Sequence, residues 1–220
     1  MVPLILLLLA VSSLAQDHTP LPIHGLLEVP GLIQPTPQPT EDQPYLNQLG
    51  LKLDVYDTPS LQAKKQTITQ TNQLDLREYA YDTPCLVILE KSGEKSALWL
   101  KIKLKSGHAW LLPPKSSKEH SLFQILSKSI AYLTPQAARN LSTTPGAPAT
   151  KSIPKPKDPQ DSNILVVLAE KTINGKQWFQ VQALSDSPCE VSKPKVSATG
   201  WLPALSPTGA VNVWFYSRGC

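Results

Sequence analysis

The sequence predicts an all-β protein made of two small barrels. Three observations carry that expectation. Apolar and polar residues alternate with period two in several short runs, as in Leu98-Trp99-Leu100-Lys101-Ile102-Lys103-Leu104. Two proline-rich stretches divide the chain. Only one segment carries a helical stripe, so helices are not the main building material.

Taken from the N-terminus, Leu4 to Ala10 is an unbroken apolar run followed by Ser13-Leu14-Ala15, small residues at the two positions a signal peptidase inspects. The run is too short to span a bilayer, which needs ~20 residues. Residues 1–15 are therefore expected to be a signal peptide, and no second long apolar run follows. From Gln16 the prolines crowd: Pro20, Pro22, Pro30, Pro35, Pro37, Pro39 and Pro44. Proline fixes φ and lacks a backbone donor, so 16–45 is expected to be a linker. Pro145, Pro148, Pro154, Pro156 and Pro159 mark a second linker over 141–161. That leaves a first domain at 46–140 and a second at 162–220.

In the first domain, Leu53-Asp54-Val55-Tyr56 alternates and stops at Asp57-Thr58-Pro59. Cys85 to Leu89 is apolar on both faces and reads as a buried strand. Leu98 to Leu104, the turn Ser106-Gly107 and the strand from Ala109 to Leu112 form a hairpin. Ser121-Leu122-Phe123-Gln124 fits a capping box, with Leu122, Ile125, Leu126, Ile130 and Leu133 on one helical stripe that Thr134-Pro135 ends. In the second domain, Ile164 to Leu168 is an apolar strand and Asn174-Gly175 is a hairpin signal. Trp178 to Ala183 alternates, Gly200-Trp201-Leu202-Pro203 follows, and Val211 to Tyr216 makes a last strand.

The two domains repeat a theme. Trp99-Leu100-Lys101-Ile102-Lys103-Leu104 matches Trp178-Phe179-Gln180-Val181-Gln182-Ala183 in phase. Each is followed by a second Trp strand, Ala109-Trp110-Leu111-Leu112 and Gly200-Trp201-Leu202-Pro203. This pattern resembles the hairpin of bacterial SH3 domains, roughly W-x-x-V-x, a Gly, then G-W-apolar. The first copy departs in having His108-Ala109 where Gly usually precedes the Trp, and the second has a longer insertion carrying Cys189. The terminus Val211 to Cys220 looks like that of uncharacterised secreted bacterial proteins with such modules. The resemblance implies two SH3-like barrels joined by the Pro-rich linker, with one appended helix. It further implies a periplasmic or secreted location, and a role in holding cell-wall glycopeptide or an envelope protein. Two tethered modules could gain avidity on a polymer.

Composition narrows the partners. Lys and Arg exceed Asp and Glu by four, which gives at most a mild bias toward anions and no nucleic-acid signature. No membrane span is expected once the signal is removed. On the first Trp strand, Trp99, Lys101, Lys103 and Lys105 share a face, where an aromatic plane beside ammonium groups could hold a carboxylate-bearing glycan or peptide. The second copy places Trp178, Gln180 and Gln182 there. Trp110 and Trp201 are expected to close the barrel cores. Trp214, Phe215 and Tyr216 are consecutive and must point to both faces of the last strand.

The chain carries no H-E-x-x-H, C-x-x-C, G-x-S-x-G or Gly-rich phosphate loop, so no catalytic residue, metal ligand or cofactor is assigned. A Cys85–His108 nucleophile pair needs an accessible thiolate, which an apolar run disfavours. Asp57 and Asp82 recur in two Tyr-Asp-Thr-Pro tetrads, a common turn initiator. Of three possible cysteine pairings, Cys189–Cys220 is the best, since both lie in the last third of the chain. It would close a loop of about 30 residues and stabilise by ~3–4 kcal/mol.

Overall fold

A computed structural model describes residues 23–34, 48–80, 83–93, 98–156 and 163–216. The fold is all-β, with a single short α-helix among the described residues. In chain order the first half holds β1 (Gly25–Glu28), β2 (Ile33–Gln34), β3 (Gln48–Leu49), β4 (Leu53–Tyr56), β5 (Lys65–Ile68), a 3-10 turn at Thr71–Gln73, β6 (Leu76–Ala80), β7 (Thr83–Ser92), β8 (Trp99–Leu104), β9 (Gly107–Leu111), β10 (Lys118–Ser121) and α1 (Leu122–Leu126). The second half holds β11 (Ala131–Leu133), β12 (Asn140–Ser142), β13 (Ala149–Ser152), β14 (Ile164–Ile173), β15 (Lys176–Leu184), β16 (Val196–Pro203) and β17 (Val213–Phe215).

The two halves are the same fold twice. The first sheet runs β10-β1-β7-β8-β9-β4-β5 and the second runs β17-β11-β14-β15-β16-β12-β13. Strand for strand in chain order, β1, β4, β5, β7, β8, β9 and β10 correspond to β11 through β17. The ribbon β2–β3 and the strand β6, paired to β7, are additions of the first half. The registers agree as well. Lys101 faces Trp110, and Gln180 faces Trp201. Tyr56 lies across the other edge of Trp110, and Ser142 across that of Trp201. The pairing of β7 to β8 slips one residue between Ile88 and Glu90, and that of β14 to β15 slips between Val167 and Ala169. Each slip is a β-bulge, which kinks the long strand so that it can serve both sides of a small barrel. Each sheet curls toward closure, through a Leu74–Leu104 bridge in the first and a Leu205–Val211 bridge in the second.

These pairings correct the expected boundaries. Residues 23–28 lie in the predicted linker over 16–45, yet β1 sits between β7 and β10 with Leu26 and Leu27 fully buried. Pro30 follows the strand and so costs it no ladder hydrogen bond. The predicted linker over 141–161 takes in most of β12 and all of β13, and Ile153 beyond them is buried. The helix is five residues long, capped as expected by reciprocal Ser121 and Gln124 bonds of 3.2 and 3.0 Å. Its expected continuation through Leu133 is instead β11, held between β14 and β17. A short helix is marginal on its own, so the tertiary ladder wins. The second half thus begins near Ala131, and the first strand that its sequence hides is β11. Residues 1–15 lie outside the described residues.

Two apolar clusters result. The first barrel encloses Leu53, Val55, Ile68, Leu86, Ile88, Leu100, Ile102 and Leu111. The second cluster joins the halves. It contains the interior of the second barrel, Leu165, Val167, Phe179, Val181, Val213 and Phe215, together with Leu122, Ile125 and Leu126 of α1 and with Leu26, Cys85 and Val87 from the outer face of the first barrel. The middle of β7, Cys85 to Ile88, is therefore buried on both sides, where the apolar run Cys85 to Leu89 lies. The tight turn of β14–β15 is set by Asn174 and Gly175, at φ 49° and 74°, the left-handed pair that a two-residue hairpin requires.

Candidate functional site

The Trp face of the first barrel is closed on itself. Trp99 is 7% exposed, with the Tyr56 ring edge-on at 5.2 Å. Lys101 is 3.1 Å from Glu90 and sits 5.5 Å over the ring of Trp110. Trp110, 8% exposed, belongs to neither apolar cluster. It lies opposite Lys101 on the outer side of β9, while Ala109 and Leu111 point into the first core. The expected role of Trp110 and Trp201 in closing the barrel cores is thus corrected: both stand on outer faces. The cause is register, because the residue two after the leading Trp faces the second Trp in each copy. Lys103, half-buried, faces His108 on the same outer side.

The second copy keeps both Trp positions and loses their cover. Tyr56 is replaced by Ser142, Glu90 by Ala169 and Lys101 by Gln180. Trp178, Gln180 and Trp201 are accordingly half-buried. The face that holds two matched Trp side chains is therefore sealed in one barrel and accessible in the other.

A concave site lies elsewhere, at the end of the first barrel. A pocket of about 400 Å³ opens between the β4–β5 hairpin, the 3-10 turn and the β8–β9 turn. Val55, Ile68, Leu104 and Ala109 form its apolar floor, continuous with the first core. Around the rim stand Tyr56, Asp57, Gln66, Asn72, Gln73, Lys105, Ser106 and His108. Backbone bonds fix the walls: Asp57 donates to Lys64 O at 3.2 Å, and Lys105 donates to Gln73 O at 3.0 Å. The Gln73 side-chain oxygen accepts from the Thr69 and Gln70 amides, both at 3.1 Å. The side chains of Asp57, Gln66, Asn72, Lys105 and His108 make no hydrogen bond or ion pair among the described residues. Nearby carboxylates are treated differently. Asp54, on β4 three residues before Asp57, takes 2.7 and 3.1 Å bonds from Thr67 and Lys65.

Sequence patterns singled out Asp57, Lys105 and His108 for other reasons and passed over Gln66, Asn72 and Gln73. The Asp-Thr-Pro turn after Tyr56 was the one local signal, since it leaves Asp57 at a strand end facing open space.

The remaining polar groups serve the frame. His120, nearly buried, is 2.8 Å from Glu28 and stacks on Tyr79 at 3.8 Å, tying β10 to β1. Cys85 is free, fully buried, and donates to Thr83 O at 3.6 Å. Burial pushes its thiol up to about 12, and the Glu28 carboxylate adds to the shift. Such a thiol is not a nucleophile at neutral pH. His108 meanwhile lines the pocket, whereas Cys85 points into the shared core. Cys189 is disulfide-bonded. Its expected partner, Cys220, lies outside the described residues, as does Asp82. Among the described residues no helix is long and apolar enough to cross a membrane.

No known family model matches the chain, and neither a curated protein nor a solved structure matches it.

Proposed function

We propose that the chain is a non-catalytic, exported binding protein of the bacterial cell envelope that recognises the peptide part of the cell wall, with the pocket of the first barrel as the recognition site. One observation carries this: Asp57 and Lys105, opposite in charge and without side-chain partners among the described residues, rim one concavity with an apolar floor. A peptide end that carries a free ammonium and a free carboxylate satisfies both at once. A purely anionic ligand meets Asp57, and a purely cationic one meets Lys105. The carboxamides of Gln66 and Asn72 supply donors and acceptors for the peptide groups between. Few convergent polar groups over an apolar base is the usual build of a small-ligand site. The paired Trp ribbons of both barrels support the SH3-like assignment, from which the compartment is taken.

Co-sedimentation with purified sacculi tests the reading. Retention is expected to drop about tenfold with Asp57→Lys and with Lys105→Glu, since each breaks a charge-assisted bond of ~1.5–3 kcal/mol. Lys103→Glu, on the outer side of β8, should leave it unchanged. Retention unaffected by both pocket variants would remove the proposal. A thiol probe tests the rival Cys85 chemistry: Cys85 should stay unlabelled in the native chain at pH 8 and react once the chain is denatured.

A further inference from the structure

The pocket of the first barrel opens beside a strand edge that is free to pair. Strand β5 ends its sheet and pairs only with β4 among the described residues. The two match without a break, from Leu53 with Ile68 to Tyr56 with Lys65. One step beyond, the Asp57 N–H donates to Lys64 O at 3.2 Å. Hydrogen-bonded pairs alternate with unbonded ones in an antiparallel ladder. Val55 with Gln66 and Leu53 with Ile68 are therefore the bonded pairs. Lys65 and Thr67 fall between them, so their N–H and C=O groups point away from β4. No other strand meets them among the described residues.

The side chains of β5 divide in the same way. Lys65 and Thr67 bond to Asp54 on one face, whereas Gln66 and Ile68 line the pocket on the other. The 3-10 turn and the end of β8 form the far wall, joined by the Lys105–Gln73 bond and the Leu74–Leu104 bridge. The matched edge of the second barrel differs. Strand β13 pairs with β12 through a register shift between Leu141 and Ser142. Such a bulge blunts an edge against added strands, and the β4–β5 ladder has none. Lys65 does not guard the edge either, since its ammonium is tied to Asp54.

On the reading of this pocket as a peptide site, we infer that the peptide lies extended along the free edge of β5 as an added strand. In strand addition the main chain supplies the bonds and alternate side chains enter pockets. Charge sets the direction. Asp57 stands across from Lys64 at the start of β5, and Lys105 is bonded to Gln73 beyond its end. An ammonium at Asp57 and a carboxylate at Lys105 make the added strand parallel to β5. The ligand residue opposite Gln66 then donates its N–H to Lys65 O and accepts the Thr67 N–H. Its side chain falls on the Gln66 side, over the floor of Ile68 and Leu104. The site therefore selects a short peptide with both ends free and an apolar side chain between them.

Amide hydrogen exchange of the full chain provides the test, with the peptide fraction cut from purified sacculi by an amidase as the probe. The Thr67 N–H should exchange about tenfold more slowly with the peptides bound, while the Gln66 N–H, already bonded to β4, should change little. Thr67→Pro removes the outward donor and leaves the β4 ladder whole, because an edge strand tolerates proline where the N–H faces out. It should lower retention on sacculi about tenfold. Asp54→Ala loses the same Thr67–Asp54 bond and should be retained as the unmodified chain is. Thr67 exchange unchanged by peptides that still need Asp57 and Lys105 overturns strand addition and leaves the pocket reading intact. Full retention of Thr67→Pro overturns it equally. Peptides that bind without need of those two charges, or fail to bind, overturn the pocket reading and strand addition with it.

Discussion

Cys85 to Leu89 and Ile164 to Leu168 occupy the same place in the two barrels, and both are unbroken apolar runs. The first is buried on both sides, whereas the second is buried on one. Neighbouring elements, not the runs themselves, make the difference. Helix α1 leaves the first barrel and plugs the second, with Phe123 stacked on Phe179 at 6.4 Å. The first barrel thereby gains a cover for its outer face, and the second gains a cap for its interior. A duplicated fold does not imply duplicated surroundings, and the unmatched surface is where function is to be sought.

The sharpest way to break this comparison is to place the same charge at matched positions. Val87→Lys buries an ammonium in the shared core and should cost about 4 kcal/mol or more, enough to unfold a marginal protein. Val166→Lys, one barrel further on, should stay within about 1 kcal/mol. Urea titration measures both, and similar costs would mean that the second face is covered as the first is.

The next effect concerns strand packing. Gly200 and Ala109 are matched across the two barrels. A Cβ on Gly200 would stand 2.8 Å from Leu141 Cβ and 2.9 Å from Ser142 O, so Gly200→Ala should destabilise by ~1–3 kcal/mol. The reverse change in the first barrel, Ala109→Gly, should cost only about 0.5–1 kcal/mol. Thermal melts of the two variants measure the asymmetry: β12 hugs β16, whereas β4 leaves the pocket beside β9.

Smaller still is the helix cap. Ser121→Ala removes the acceptor for Gln124 N–H and should lower stability by about 1 kcal/mol. Because α1 touches both barrels, the melt should shift as one transition. Two separated transitions would show that the halves do not unfold together.

The smallest effect is electrostatic. Asp54 and Asn140 are matched, and only the carboxylate titrates. Bonds from Thr67 and then Lys65 hold the Asp54 carboxyl below its ordinary value of 3.8. Its contribution is therefore present above that pH and fades as pH falls through the lower, folded value. Asp54→Asn should lower stability slightly at neutral pH, leave it unchanged at low pH, and so flatten the acid limb of the stability curve.

Much of this was legible in the chain. Period-two alternation at Leu98–Leu104 and Trp178–Ala183 placed the ribbons, and the phase of the four Trp residues found the duplication. The Ser121–Gln124 box started the helix where it starts. What failed were elements of three or four residues near prolines: β1, β11, β12 and β13 are too short for a periodic signal, and β1, β11 and β12 join the sheets through strands far along the chain, with β13 added at the edge of β12. The pocket was unreadable for a related reason, since Asp57, Gln66, Asn72 and Lys105 come from four separate elements.

What the amino-acid order determined by itself is the local rule of the fold: which residues alternate, where hairpins turn at Asn174-Gly175, and that a Trp-led ribbon occurs twice. Burial was settled only in three dimensions. Whether an apolar strand face meets water or another layer depends on what lands on it, and hydrophobic attraction, being non-directional, does not name that layer in advance.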